Sequence, residues 1–222
     1  MKLKKVLVTG GSRGIGRALV MQLREKGFDV IAPSRNELNL LKSTSIDAFI
    51  DKFANDTFYA IICNAGINEL AYIDEIQERD LHDILEVNLI APIRLIRGLV
   101  KNMKKNRDGH IINISSIFGI VSKGKRTVYS ASKFGINGVT KALAVELGQY
   151  HILVNSVCPG YTDTDLTKKN ISKKEKAAVC KSIPLRRFAE TREIATLVSY
   201  LITENTYITG ETIVVDGGYT AN

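Results

Sequence analysis

The stretch Lys5-Val-Leu-Val-Thr-Gly-Gly-Ser-Arg-Gly-Ile-Gly16 decides the fold. A short apolar run stops at paired glycines, and a helical pattern begins at Gly14, with Ile15, Leu19, Val20 and Leu23 at helical spacing up to Lys26. Gly27 follows as a C-terminal cap. Glycines between a first strand and a first helix are the signature of a dinucleotide phosphate site. Gly10 permits the tight turn, Gly14 lets backbone approach a pyrophosphate, and Gly16 lets helix and strand pack closely. The helix N-terminus then offers free N–H groups and partial positive charge to the phosphates. Ser12, Arg13 and Ile15 belong to the same phosphate-facing loop.

Outward from this loop, strands and helices alternate. Phe28–Ala32 reads as a strand, Ile46–Phe53 as a short amphipathic helix and Tyr59–Cys63 as a strong strand. A long helix is predicted from Glu78 to Lys105, a strand at Gly109–Ile114, a helix over Val128–Gly148 and a strand at Ile152–Val157. A Lys-rich connection, a helix over Arg192–Ile202 and a strand at Thr212–Val215 complete the chain. Strands apolar on both faces belong in a parallel sheet covered by helices on both sides. The pattern predicts a single Rossmann-type, doubly wound α/β domain of three layers spanning 1–222.

The second strand bears on the nucleotide. An NAD site usually ends it with an acidic residue for the ribose 2′-hydroxyl. Here it ends Ala32-Pro-Ser-Arg35, with no carboxylate before Glu37. Arg35, flanked by Arg13, suits a 2′-phosphate through bidentate guanidinium contacts. NADP is therefore expected, with NAD the alternative if both arginines are ordinary surface residues.

Composition narrows the class. The 222 residues are 45% hydrophobic and 24% charged, with a net charge of +8, an ordinary globular balance. The basic excess has no interleaved aromatics and the chain has no Trp, so nucleic acid is not expected as a partner. Cys63, Cys158 and Cys180 form no CxxC pair, and His82, His110 and His151 form no ligand pair. No metal is expected. No leader or spanning run is evident, and a reducing cytoplasm is the expected compartment.

Tyr129 and Lys133, at i and i+4 near a helix start, share one face. An ammonium beside a phenol favours phenolate, so Lys133 is expected to lower the Tyr129 pKa toward neutrality. Ser116, just after a strand, offers a hydroxyl to a substrate oxygen.

Thr9-Gly10-x3-Gly14-x-Gly16, Asn64-Ala65-Gly66, Asn88, Ser116, Tyr129-Ser-Ala-Ser-Lys133 and Pro159-Gly160 occur in order. This set resembles the short-chain dehydrogenase/reductase family, over nearly the whole chain to Val215-Asp-Gly-Gly-Tyr-Thr220. Asn113-Ile-Ser-Ser116, Pro159-Gly-Tyr-Thr-Asp-Thr-Asp165 and Ile183-Pro-Leu-Arg-Arg-Phe188 resemble its 3-oxoacyl-carrier-protein reductase-like branch. The resemblance implies hydride transfer between a nicotinamide and a carbonyl or alcohol. It implies that Tyr129 protonates the carbonyl oxygen, that Lys133 tunes Tyr129 and holds the nicotinamide ribose, and that Ser116 binds the substrate oxygen. Asn88 would hold a water linking Lys133 to solvent, Asn64, Ala65 and Gly66 would line the adenosine side, and Pro159, Gly160, Thr162 and Thr164 would hold the nicotinamide amide. Pro92 adds physical support: lacking an N–H, it leaves the Asn88 carbonyl free and predicts a kink. The resemblance also implies a homotetramer built on the Asn88 and Tyr129 helices.

Two departures stand out. Only about two dozen residues separate Arg35 from Tyr59, where the family places a further helix–strand unit. One helix is expected to be missing and the third strand shortened to Leu38–Leu40, with Asn39 replacing the usual acidic residue. The segment 164–187 occupies the family's substrate-covering region and carries Lys168, Lys169, Lys173, Lys174, Lys176 and Lys181. A mobile lid and an anionic or carrier-bound small-molecule substrate are expected from it. A sugar-nucleotide or other alcohol substrate is the alternative, and a non-catalytic dinucleotide sensor the remaining one.

Overall fold

The computed structural model describes residues 3–221. Six strands form one all-parallel sheet: β1 (Lys5–Val8), β2 (Asp29–Ile31), β3 (Phe58–Cys63), β4 (Gly109–Ile114), β5 (Ile152–Pro159) and β6 (Thr212–Val215). Their spatial order is β2-β1-β3-β4-β5-β6. The order reverses at β1, between β2 and β3, which is where an open α/β sheet leaves a ligand crevice beyond its strand ends.

Alternation along the strands builds two cores. Leu7, Ile61, Ile111 and Val154 point to one side, where α2 (Ser43–Lys52), α4 (Ala91–Asn106) and α5 (Thr127–Leu147) cover them. Val6, Val8, Ile62, Ile112 and Val157 point to the other, under α1 (Gly14–Glu25) and α8 (Thr191–Thr203). These side chains are almost wholly buried, and each contributes about 1.5–3 kcal/mol of transfer free energy. The three-layer, doubly wound expectation is therefore met.

Three expectations are corrected. Leu38–Leu40 forms no strand. The Asn39 amide donates to Ser45 Oγ (2.9 Å), and Asn39 Oδ1 accepts from the Leu41 amide (3.1 Å). That turn removes the backbone groups a ladder would need, while Leu38 is drawn into the core. Among the described residues β2 is thus one edge of the sheet.

The long helix is not uniform. It begins as α3 (Glu78–Leu85), passes through a π turn over Glu86–Ile90, and continues as α4. The Ala91 amide donates to the Glu86 carbonyl, five residues back. Pro92, which cannot donate to Asn88, follows immediately, so the kink expected from it takes the form of this wider turn.

The Lys-rich connection is helical. It holds α6 (Asp165–Asn170), whose first turn is capped by Thr164 Oγ1, and α7 (Lys173–Ser182), opened by a reciprocal Ser172–Glu175 capping box. Its apolar content is low and the caps carry the signal. Among the described residues no helix is long and apolar enough to cross a membrane, and no group of His, Cys, Asp and Glu could hold a metal ion.

Candidate active site

The glycine loop is fixed by its own backbone. A Cβ on Gly16 would lie 2.1 Å from the Gly10 carbonyl oxygen, so only glycine fits there. Gly14 sits at φ +55°, the left-handed region that glycine tolerates. Arg13 caps α1 with no side-chain bond, and the first turn holds no acidic residue. The N–H groups of that turn therefore face outward uncompensated, which fits a dinucleotide pyrophosphate.

Thr9 braces the loop, a role the sequence pattern did not single out. Its hydroxyl accepts from the Asn64 amide (3.0 Å) and the Ala65 amide (3.1 Å). Asn64 Nδ2 donates to the Thr9 carbonyl (2.9 Å) and the Gly10 carbonyl (3.2 Å). The Asn64-Ala65-Gly66 turn thus holds the phosphate loop directly. Gly11, two residues before Arg13, abuts Ala32, which lies just after β2 and three residues before Arg35. Both arginines are exposed.

Asn88 lies in the π turn and is buried. Its Oδ1 accepts from the Ile67 amide (2.9 Å), and its Nδ2 donates to the Ile67 carbonyl (2.9 Å) and Ser132 Oγ (3.1 Å). The side chain clamps the loop after Gly66 to α5. A Cβ on Gly66 would stand 3.4 Å from Asn88 Oδ1 and 3.6 Å from Lys133 Nζ, so the turn packs directly against both groups.

Ser116, Tyr129 and Lys133 come together at the ends of β4 and α5. Ser116 Oγ accepts from the Phe118 amide (3.1 Å), and Ser116 and Tyr129 line the same cavity. Lys133 is buried and donates from Nζ to the Ile114 carbonyl (2.8 Å). Burial pulls its pKa down to about 8. Two buried thiols flank it: desolvation pushes Cys63 up to about 12, and Cys158 is raised for the same reason.

The expected depression of Tyr129 by Lys133 is corrected by this geometry. Burial holds the Tyr129 phenol above its ordinary value, and what opposes it is the Ser116 side chain and the charge of Arg126. Lys133 Nζ lies 5.7 Å from the Tyr129 ring centroid and is turned to the Ile114 carbonyl. Arg126, three residues before Tyr129, was not singled out from sequence, although i and i+3 share a helix face.

A cavity of about 80 Å³ opens between these groups, lined among others by Asn68, Ser116, Arg126, Tyr129 and Tyr161, and roofed by Asn170 of α6. Of the residues expected near a nicotinamide, Pro159 ends β5, and Gly160 packs so tightly on Asp216 that a Cβ would come within 2.6 Å. Thr162 Oγ1 is turned to the Gly160 carbonyl (3.2 Å), and Thr164 caps α6 close to Gly14.

Comparison with known proteins agrees with this architecture. Residues 4–49 match the short chain dehydrogenase family model, and residues 37–220 match the family model described as Enoyl-(Acyl carrier protein) reductase. The two matches overlap at 37–49, over the Asn39 turn and the start of α2. The 3-oxoacyl-[acyl-carrier-protein] reductase FabG of Vibrio cholerae is 35% identical, over 97% of this chain and 96% of its own. Among solved structures, 4-hydroxyisoleucine dehydrogenase complexed with NADH superposes with a TM-score of 0.93 at 29% identity, covering 99% of both chains. ElxO with NADP bound superposes with a TM-score of 0.91 at 25% identity over 100% of both chains. The glycine loop braced by Asn64, the Ser116–Tyr129–Lys133 cluster and these likenesses over the full length place the chain in the short-chain dehydrogenase/reductase family of NAD(P)-dependent oxidoreductases.

Proposed function

We propose that the protein reduces a ketone to a secondary alcohol with NADPH, Tyr129 supplying the proton. The observation that carries the reading is that Ser116 and Tyr129 line one cavity, with Lys133 beside Tyr129 on the same helix. Bound NADPH supplies the hydride. Tyr129, kept protonated by burial, gives its proton to the carbonyl oxygen while Ser116 holds that oxygen. Lys133, with a pKa near 8, is suited to return a proton to the phenolate, and the Asn88 clamp on Ile67 keeps the loop beside it in place. Gly10, Ser12, Gly14, Ile15 and Gly16 take the pyrophosphate, Arg13 and Arg35 the 2′-phosphate, and Pro159 to Thr164 the nicotinamide side.

The likeness to FabG supports a 3-oxoacyl thioester as substrate. A second reading, a small ketone free of any carrier, is favoured by the size of the cavity and its roof on α6. In either case α6 and α7 cover the substrate and open to release product, and the homotetramer built on the α3–α4 and α5 helices is part of the reading.

Fluorescence titration with NADPH and NADH, on wild type and Arg35→Ala, tests the cofactor. NADPH is expected to bind more tightly, and Arg35→Ala to weaken NADPH about 10-fold, the effect of one lost charge-assisted contact, while sparing NADH. Equal binding of the two nucleotides by wild type sinks the 2′-phosphate assignment. NADPH oxidation with acetoacetyl-pantetheine against a small ketone then separates the two substrate readings.

A further inference from the structure

The sequence directs attention to the lid lysines as the source of anion recognition. The structure draws it elsewhere. Lys168 and Lys176 both pair with Asp163 (3.3 and 3.5 Å), and Lys169 pairs with Glu69 (2.7 Å). These are surface pairs with internal partners, and such pairs contribute little.

Arg126 differs in kind. It is 8% exposed. Its guanidinium lies 4.3 Å over the Phe118 ring. Among the described residues no Asp or Glu lies within ion-pair distance of it. The groups whose charge acts on it are the phenols of Tyr161, Tyr129 and Tyr219. At neutral pH Tyr129 and Tyr161 are uncharged: burial holds Tyr129 above its ordinary value and pushes Tyr161 up to about 12. A buried cation without a counter-charge is destabilising unless a ligand completes it. Asn68, 6% exposed, lines the same cavity; its Oδ1 has no hydrogen-bond partner and, as an acceptor, calls for a donor, which leaves Arg126 as the group that takes an anion.

We infer that Arg126 forms a receptor for a carboxylate carried by the substrate itself, so that the favoured substrate is a short oxo acid rather than a neutral ketone. The inference rests on the ketone-reductase reading for its chemistry and refines the small-ketone version of it. The guanidinium is planar and presents parallel N–H groups, the geometry that takes a carboxylate bidentately. Tyr129 and Ser116 hold the reacting carbonyl in the same cavity of about 80 Å³, so the carboxylate sits only a few bonds from the ketone. A 3-oxo acid or 2-oxo acid has this spacing. The thioester of a carrier-bound chain has a neutral group where Arg126 requires an anion.

The test is binding of succinate, and of its neutral diamide, by calorimetry with and without NADPH. Wild type, Arg126→Met, Arg126→Lys and Asn68→Asp are compared, with the unfolding midpoint of each as a folding control. Wild type is expected to bind succinate and not the diamide. Arg126→Met should weaken succinate about 100-fold, as when one partner of a buried charge pair is removed. Arg126→Lys should recover part of this, because the charge returns without the fork. Asn68→Asp, which supplies an internal carboxylate, should abolish binding even if Arg126→Met fails to fold. In turnover, the ratio of kcat/KM for acetoacetate to that for its ethyl ester should fall about 100-fold in Arg126→Met. Succinate binding that is absent in wild type, or unchanged in Arg126→Met and Asn68→Asp, overturns the receptor. Failure of the ketone-reductase reading looks different: no NADPH-dependent turnover of any ketone, neutral ones included, while the Arg126-dependent binding of succinate persists.

Discussion

The two ends of the cleft are built by different means. At the nucleotide end, backbone does the work: glycines with no room for a side chain, outward N–H groups, and Thr9 and Asn64 binding the loop through main-chain atoms. At the substrate end, side chains from β4, α5, the Asn68 loop and α6 meet, and their charges depend on how dry each one is. The first kind of site tolerates almost no change of shape, and the second almost no change of charge or proton position.

The largest effect belongs to the substrate end. Tyr129→Phe removes the proton donor and keeps the ring, so steady-state kinetics should show kcat down about 1000-fold, within the range of general acid catalysis. NADPH binding by titration should be unchanged. A parallel loss of nucleotide affinity would erase the distinction between the two ends.

Gly16→Ala probes the other end. Its Cβ must displace the Gly10 carbonyl, an overpacking strain of about 3 kcal/mol. Thermal unfolding should show a lower Tm, and NADPH titration should show little binding. An alanine tolerated in both measurements would mean that the loop is less rigid than its geometry indicates.

The smallest effect is a shift along the pH axis. Reduction needs Tyr129 protonated, and burial raises its pKa, so the limb set by Tyr129 should lie above the range where an ordinary tyrosine begins to ionise, separate from a limb near pH 8 where Lys133 loses the proton it relays. Arg126 favours the phenolate, so Arg126→Met moves the Tyr129 limb higher still. A pH–rate profile whose Arg126-sensitive limb lies near neutrality would instead restore Lys133 as the dominant influence on Tyr129.

What sequence made legible divides along the same line. The glycine loop, Asn64-Ala65-Gly66 and the doubly wound parallel sheet follow from residue type and pattern, because steric rules act on the residue itself. Tyr129, Lys133 and Ser116 were legible as types and spacings, and their electrostatics were not. An i, i+4 pair shows that two groups share a face, but Lys133 has a nearer acceptor in the Ile114 carbonyl, which only the tertiary structure supplies. Arg126 was hidden for the same reason: a surface arginine and a buried, unpaired one read alike. Leu38–Leu40 was expected as a shortened strand from the family pattern alone, and the local bonds of Asn39 to Ser45 and Leu41 won instead. The helices α6 and α7 were obscured by their lysines, with Thr164 and the Ser172–Glu175 box as signals that could have revealed them.

The lost strand has a consequence for how the molecule avoids its neighbours. A sheet edge is a template on which another chain can add hydrogen bonds and begin to aggregate. Here the edge passes to β2, three residues long and followed by Pro33. Arg24 Nη2 already donates to the Val30 carbonyl (3.4 Å). A foreign strand laid along this edge would find a ladder of two or three rungs, with one carbonyl engaged and a proline just beyond. Shortening the nucleotide edge therefore leaves the sheet with a border too brief to be extended.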